Sequence, residues 1–213
     1  LNMLKQMRYI AGISDQVELS DNLSDYAQAA AFVNYVNGKL SHQPTKPSDM
    51  DDALFRKGEQ GAGSSNIAWA SWSGASLNRT IAFSWMKDDD RSNINRVGHR
   101  RWMLNPAMGK TGFGAVSGSK GTYSSVYAFD TSNSSASETG VAWPAQNMPV
   151  EYFDAEFPWS ISMGHTVDAD RVKVTLTRKS DGHVWTFSNQ SSSGDFYVDN
   201  GGYGQKGCII FRP

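Results

Sequence analysis

Residues 63–114, GSSNIAWASWSGASLNRTIAFSWMKDDDRSNINRVGHRRWMLNPAMGKTGFG, hold four of the seven tryptophans and one of the four histidines. Within them Ile81, Ala82, Trp85 and Met86 recur at near-helical spacing, which predicts one buried face of a helix over residues 77–87. Asp88, Asp89 and Asp90 are expected to end that helix in an acidic, solvated corner. Residues 97–106, VGHRRWMLNP, read as a helical turn opened by Gly98 and stopped by Pro106. His99 stands near its first turn, where free backbone N–H groups favour a neutral imidazole that can accept a proton or ligate a metal.

On the N-terminal side, residues 1–10 carry Leu1, Met3, Leu4, Met7 and Tyr9 at helix-compatible intervals, and Ala11-Gly12 stops the run. Residues 17–19 are a short extended piece, and Ser20-Asp21 offers an N-cap. Leu23, Tyr26, Ala27, Ala30, Val33 and Val36 then line one side of a long helix ended by Asn37-Gly38. His42 follows that stop. Residues 43–62, with Pro44 and Pro47, read as a surface excursion containing a short helix over 50–57, and residues 66–72 as a buried connection. Beyond the His99 turn, residues 111–116 and 123–129 alternate like two strands joined by a Gly- and Ser-rich turn.

Residues 130–140, DTSNSSASETG, mark a linker or a long exposed loop. Beyond it, residues 150–153, 159–163, 172–176, 184–187, 196–198 and 208–211 read as short strands with polar turns, which argues for a small β-sandwich or β-barrel-like module. The expected organisation is an α+β chain with a domain over residues 1–135 and a β-rich module over 136–213. Trp143, Trp159 and Trp185 are expected in the module's core rather than on a sugar-stacking platform. His165 and His183 are expected in loops, and Cys208 as a small buried hydrophobe.

The 213 residues are 39 % apolar and 12 % aromatic, ample for a packed core. A formal net charge of −1 leaves no basic excess for phosphates, and no run of about 18 apolar residues is present to span a bilayer. Nucleic-acid binding and membrane insertion are therefore disfavoured. A single cysteine rules out an internal disulfide. A charged fraction of 19 %, with frequent Ser, Asn and Gly, fits an extracellular bacterial protein. The chain begins at Leu1 without methionine, basic or apolar leader segments, so any export signal is expected upstream.

Leu40-Ser41-His42, then Ser65-Asn66-Ile67-Ala68-Trp69-Ala70-Ser71, then Trp85 with Asp88 three residues on, then Gly98-His99-Arg100 with Leu104-Asn105-Pro106 and Gly112-Phe113-Gly114, occur in that order. The series resembles the CAP superfamily of cysteine-rich secretory, antigen 5 and pathogenesis-related proteins, and within it the bacterial SCP-like extracellular branch. The likeness spans roughly residues 1–130. It implies an α-β-α sandwich with an open cleft faced by two histidines and two glutamates, which in several members hold a divalent metal. The histidines fall on His42 and His99, the first glutamate on Ser65 beside Asn66, and the second on Asp88. One acid is thus shortened and one is absent.

A serine hydroxyl stays protonated at neutral pH and is a poor ligand for a divalent ion. Two histidines with Asp88 and water could still hold zinc, because an open site needs three protein ligands. Ser65 and His99 as nucleophile and base lack a G-x-S-x-G elbow. Two readings follow for an extracellular, secreted or surface-attached protein. The first is binding of a peptide, glycan or lipid in the His42/His99 cleft, with Ser65 and Asn66 in its wall. The alternative is a metal- or histidine-assisted hydrolase of peptidase type, using His42, His99 and Asp88.

Overall fold

A computed structural model describes residues 1–213. The chain is an α+β protein in which helices dominate the first part and strands the rest. In order it forms α1 (Asn2–Ile10), β1 (Glu18–Leu19), α2 (Asp21–Asn37), α3 (Asp52–Gly63), β2 (Ser65–Ala70), α4 (Leu77–Thr80) and a π-helical turn (Ile81–Trp85). Next come α5 (Gly98–Met103), β3 (Lys110–Thr111), β4 (Phe113–Gly118) and β5 (Gly121–Tyr127). The C-terminal strands are β6 (Val141–Trp143), β7 (Trp159–Ser162), β8 (Val174–Thr177), β9 (Val184–Phe187), β10 (Asp195–Asp199) and β11 (Cys208–Arg212). No helix is long and apolar enough to cross a membrane.

Two compact units divide the chain. The first comprises Leu1–Met7, Ser14–Trp85 and Pro106–Ala136; the second comprises Arg8–Ile13, Met86–Asn105 and Ser137–Pro213. The second unit also takes in Met86–Asn105, the piece that carries Asp88 and His99.

In the first unit β2, β5 and β4 form an antiparallel sheet, with Asn66 and Phe113 both opposite Val126. Helix α2 lies across β4 and β5, and α3 packs on α2. The caps of α2 are those the sequence predicts: Ser20 Oγ accepts from the Leu23 amide, and Gly38 closes the helix at φ 66°. Its buried side is small, with Ala27, Ala30 and Val33 fully covered. Glycines just before and within β4 let the two backbones meet: a Cβ on Gly112 would stand 2.1 Å from the Leu23 carbonyl carbon, and one on Gly114 2.4 Å from that of Ala27.

Four local expectations are corrected. The short helix over 50–57 runs instead from Asp52 to Gly63, because Asp51 caps it and its glycines serve close packing: a Cβ on Gly61 would stand 2.1 Å from the Tyr26 carbonyl oxygen. The connection over 66–72 is strand β2, whose first three residues, Ser65–Ile67, are all buried and so show no alternation to betray it. The helix over 77–87 is four residues of α4 and then the π turn, which carries Trp85 inward so that its Nε1 donates to the Ile67 carbonyl at 3.2 Å. Residues 150–152 form a 3-10 turn behind Pro149, with Val150 exposed and no strand beside it.

Asp130, at the end of the first unit's last strand region, accepts from the Gly109, Lys110 and Ser132 amides and from the Ser132 hydroxyl. Burial alone would raise its carboxyl, but these donors more than offset that and hold it below the usual carboxylate range. A depressed folded-state value stabilises above the unfolded pKa, near pH 4, and is lost as pH falls through the folded one. Asp130→Asn is therefore expected to cost about 1 kcal/mol at neutral pH and to flatten the acid limb of stability against pH below about 4. Urea denaturation of both proteins between pH 2 and 7 checks this; parallel acid limbs would remove Asp130 from the account.

In the second unit β10, β11, β7 and β6 form a four-stranded antiparallel sheet, and β8 pairs with β9 in a separate hairpin. Trp143, Phe187, Cys208 and Ile210 are buried in its interior. Burial also pushes the Cys208 thiol up, which marks it as packing rather than reactive.

Candidate functional site

The second unit builds its polar centre from Asp88, Asn93, His99 and Arg100. The sequence predicts a solvated acidic corner at Asp88–Asp90, yet Asp88 is only 2 % exposed. The correction has a plain cause. The backbone turns through the left-handed region at Asp88, φ 54°, which points its carboxylate inward at three N–H donors rather than at solvent. Oδ1 receives His99 Nδ1 at 2.9 Å and the Asn93 side-chain amide, and Oδ2 receives the Arg100 amide at 3.0 Å.

His99 lies in the first turn of α5, with 28 % of its side chain exposed. Donation from Nδ1 to Asp88 fixes the ring's orientation and, in the neutral imidazole, makes Nε2 the acceptor nitrogen. The Asn93 amide stands 3.0 Å from the same Nδ1, and both nitrogens converge on one Asp88 oxygen. Gly98 makes room for the cluster: a Cβ there would meet Asn93 Oδ1 at 3.2 Å and Tyr203 Cδ1 at 3.0 Å. The arrangement is a carboxylate holding an imidazole at a set angle, suited to accepting a hydrogen bond or a proton.

The turn is held from behind by two arginines. Arg100 is 1 % exposed and donates to the carbonyls of Met86 at 2.7 Å, Lys87 at 2.5 Å and Pro158 at 2.8 Å, and to Ser160 Oγ at 2.9 Å. Burial pushes its guanidinium down to about 10, against the Asp88 charge that raises it, so it remains a cation at neutral pH. Arg101 pairs with Asp199 and donates to the carbonyls of Gly201 and Gln205. Val97, immediately before α5, is fully buried against Cys208, Ile210 and Tyr197 while held at φ 40°. A β-branched residue in that region is strained by about 1–3 kcal/mol and persists only because its surroundings fix it.

The remaining sequence candidates lie in the first unit. His42 is exposed, with Nδ1 2.7 Å from the Ala62 carbonyl. Ser65 and Asn66 are buried in β2, 3 % and 2 % exposed, rather than open to solvent. Ser65 Oγ makes no hydrogen bond, so nothing activates it as a nucleophile. Among the tryptophans weighed for a platform, Trp143 is buried in the core, Trp159 packs with Phe153 and Phe211, and Trp185 packs edge-on with His183.

The residues do not fit a resident divalent ion. Both oxygens of Asp88 are engaged by N–H donors, so that His99 Nε2 is the one nitrogen of this cluster left to ligate an ion. No three His, Cys, Asp or Glu side chains come together in a group that could hold a metal. Sequence reasoning missed Asn93 and Arg100. Asn93 carries a faint signal, as a side-chain amide five residues from Asp88 and six from His99. Arg100 carries none, because its acceptors are distant in the chain.

Residues 1–130 match the CAP family, described as the cysteine-rich secretory protein family. No curated protein matches the chain. That match covers the motifs at His42, Ser65, Trp85 and His99 and more than half of the 213 residues, so the chain belongs to the CAP, or cysteine-rich secretory protein, family.

Proposed function

We propose that this is an extracellular CAP-domain protein, of the bacterial SCP-like kind, whose Asp88-oriented His99 is a polar contact for a bound peptide, glycan or lipid. The observation that carries the reading is the buried carboxylate beneath a partly exposed imidazole, flanked by two strained non-glycine residues, Asp88 and Val97. Such strain is costly and clusters where a protein must fix a side chain against its preference. Family membership supports the extracellular address and gives His42 a similar expectation in the first unit.

Arrays of peptides, oligosaccharides and lipids test the reading. His99→Ala should lose the wild-type ligand set at least tenfold in affinity while its unfolding temperature stays within about 3 °C. Asp88→Asn should weaken the same ligands less, through loss of ring orientation. Full retention of every ligand by His99→Ala overturns it.

A second reading, histidine-assisted hydrolysis, draws on the same pair, because a carboxylate-held imidazole is what a general base requires. Hydrolysis of a peptide library by the wild type that disappears in His99→Ala would favour it over binding alone.

A further inference from the structure

The sheet face of the first unit turned away from α2 carries a pocket of about 390 Å³. Its floor includes Ala68 and Ser124, paired neighbours on β2 and β5. One wall is α4 and the π turn, contributing Arg79, Phe83 and Ser84, and Trp72 stands two residues beyond the end of β2. Trp72 is 60 % exposed and Phe83 39 % exposed. Arg79 lies over the Phe83 ring at 5.4 Å from its centroid. These residues belong to neither the Asp88–His99 cluster nor any role discussed above.

We infer that this pocket binds an oligosaccharide carrying a carboxylate. Three observations converge on that class. Exposed aromatic faces are expensive to leave wet and suit the C–H face of a pyranose ring, whereas small hydroxyl side chains beside them suit its equatorial hydroxyls. The lining holds a single charged residue, Arg79, whose planar fork matches a carboxylate in two parallel hydrogen bonds. The π turn is the third. Such turns interrupt the regular helical ladder at a cost and occur frequently at functional sites. Here the turn presents Phe83 and Ser84 outward while burying Ile81, Ala82 and Trp85.

Other occupants fit less well. A lipid tail wants an apolar lining throughout, which Arg79, Ser84 and Ser124 deny it. An extended peptide could add to the open edge of β2, but the Trp85 indole already takes the Ile67 carbonyl on that strand and interrupts the ladder.

Calorimetric titration of the full chain tests the inference with three probes: a tetrasaccharide of galacturonic acid, its neutral galactose counterpart, and tetraglutamate as an equally acidic peptide. The acidic tetrasaccharide is expected to bind saturably and more tightly than the neutral one, and tetraglutamate not at all. Trp72→Ala should weaken the acidic sugar about tenfold, Trp72→Phe should retain most of the affinity, and Arg79→Gln should abolish the preference for acidic over neutral sugar. Both side chains are exposed, so unfolding temperatures should match the wild type. Failure of both sugars to bind, equal binding of tetraglutamate, or wild-type affinity in Trp72→Ala would each overturn the inference. The reading of His99 stands or falls separately, on the array experiment with His99→Ala.

Discussion

Arg100→Met is expected to destabilise the protein by about 3–5 kcal/mol, lowering the unfolding temperature by roughly 10 °C. The guanidinium is fully buried and is the donor for three main-chain carbonyls and one hydroxyl. Methionine fills much of its volume but leaves those carbonyls without a partner, at about 1–3 kcal/mol for each buried acceptor so stranded. Opposing this, removal of a desolvated cation, whose burial shows in a value pushed down to about 10, recovers part of that cost. The stranded acceptors outweigh the recovery because three main-chain carbonyls and a hydroxyl lose their donor against the one cation removed. Arg100→Lys should rescue less than half, since a single ammonium cannot span the Met86 and Pro158 sides at once. Guanidinium denaturation measures both variants, and an Arg100→Met protein within about 1 kcal/mol of wild type would show that the network is dispensable.

A fragment of residues 1–135 should fail to keep His99 on Asp88, although both residues are present in it. Within the second unit the turn that carries them is fixed by groups beyond residue 137. Pro158 and Ser160 accept from Arg100; Asp199, Gly201 and Gln205 accept from Arg101. Cys208 and Ile210 pack on Val97. Once these are removed, two arginines lose the acceptors that lie beyond residue 137, and Val97 loses its packing on Cys208 and Ile210 that holds it at φ 40° against about 1–3 kcal/mol of strain. Amide hydrogen exchange over Met86–Asn105 is the measurement. Protection there should drop by a factor of about 100 or more in the fragment, while α2, whose partners α3 and β4 remain, exchanges as in the full chain. Equal protection over Met86–Asn105 in both proteins would mean that the turn is held from within residues 1–135.

Several features were legible in the residues themselves because their causes are local. The span of α2 follows from the Ser20 cap, the Gly38 stop and an apolar stripe lying between them. The α+β order follows from where helical spacing gives way to alternation, and membership of the CAP family follows from the order of its motifs within residues 1–130. Tertiary structure decided what depends on partners far along the chain. Asp88 is buried rather than solvated because the backbone reverses at that residue and an imidazole, an amide and a main-chain N–H close over its oxygens. Arg100 is interior because its acceptors lie 14 and 58 residues away, at separations where no periodicity can announce them. Likewise Trp143 is interior and Trp72 exposed, since an indole is equally apolar at either position and only the packing around it determines whether it meets core or water.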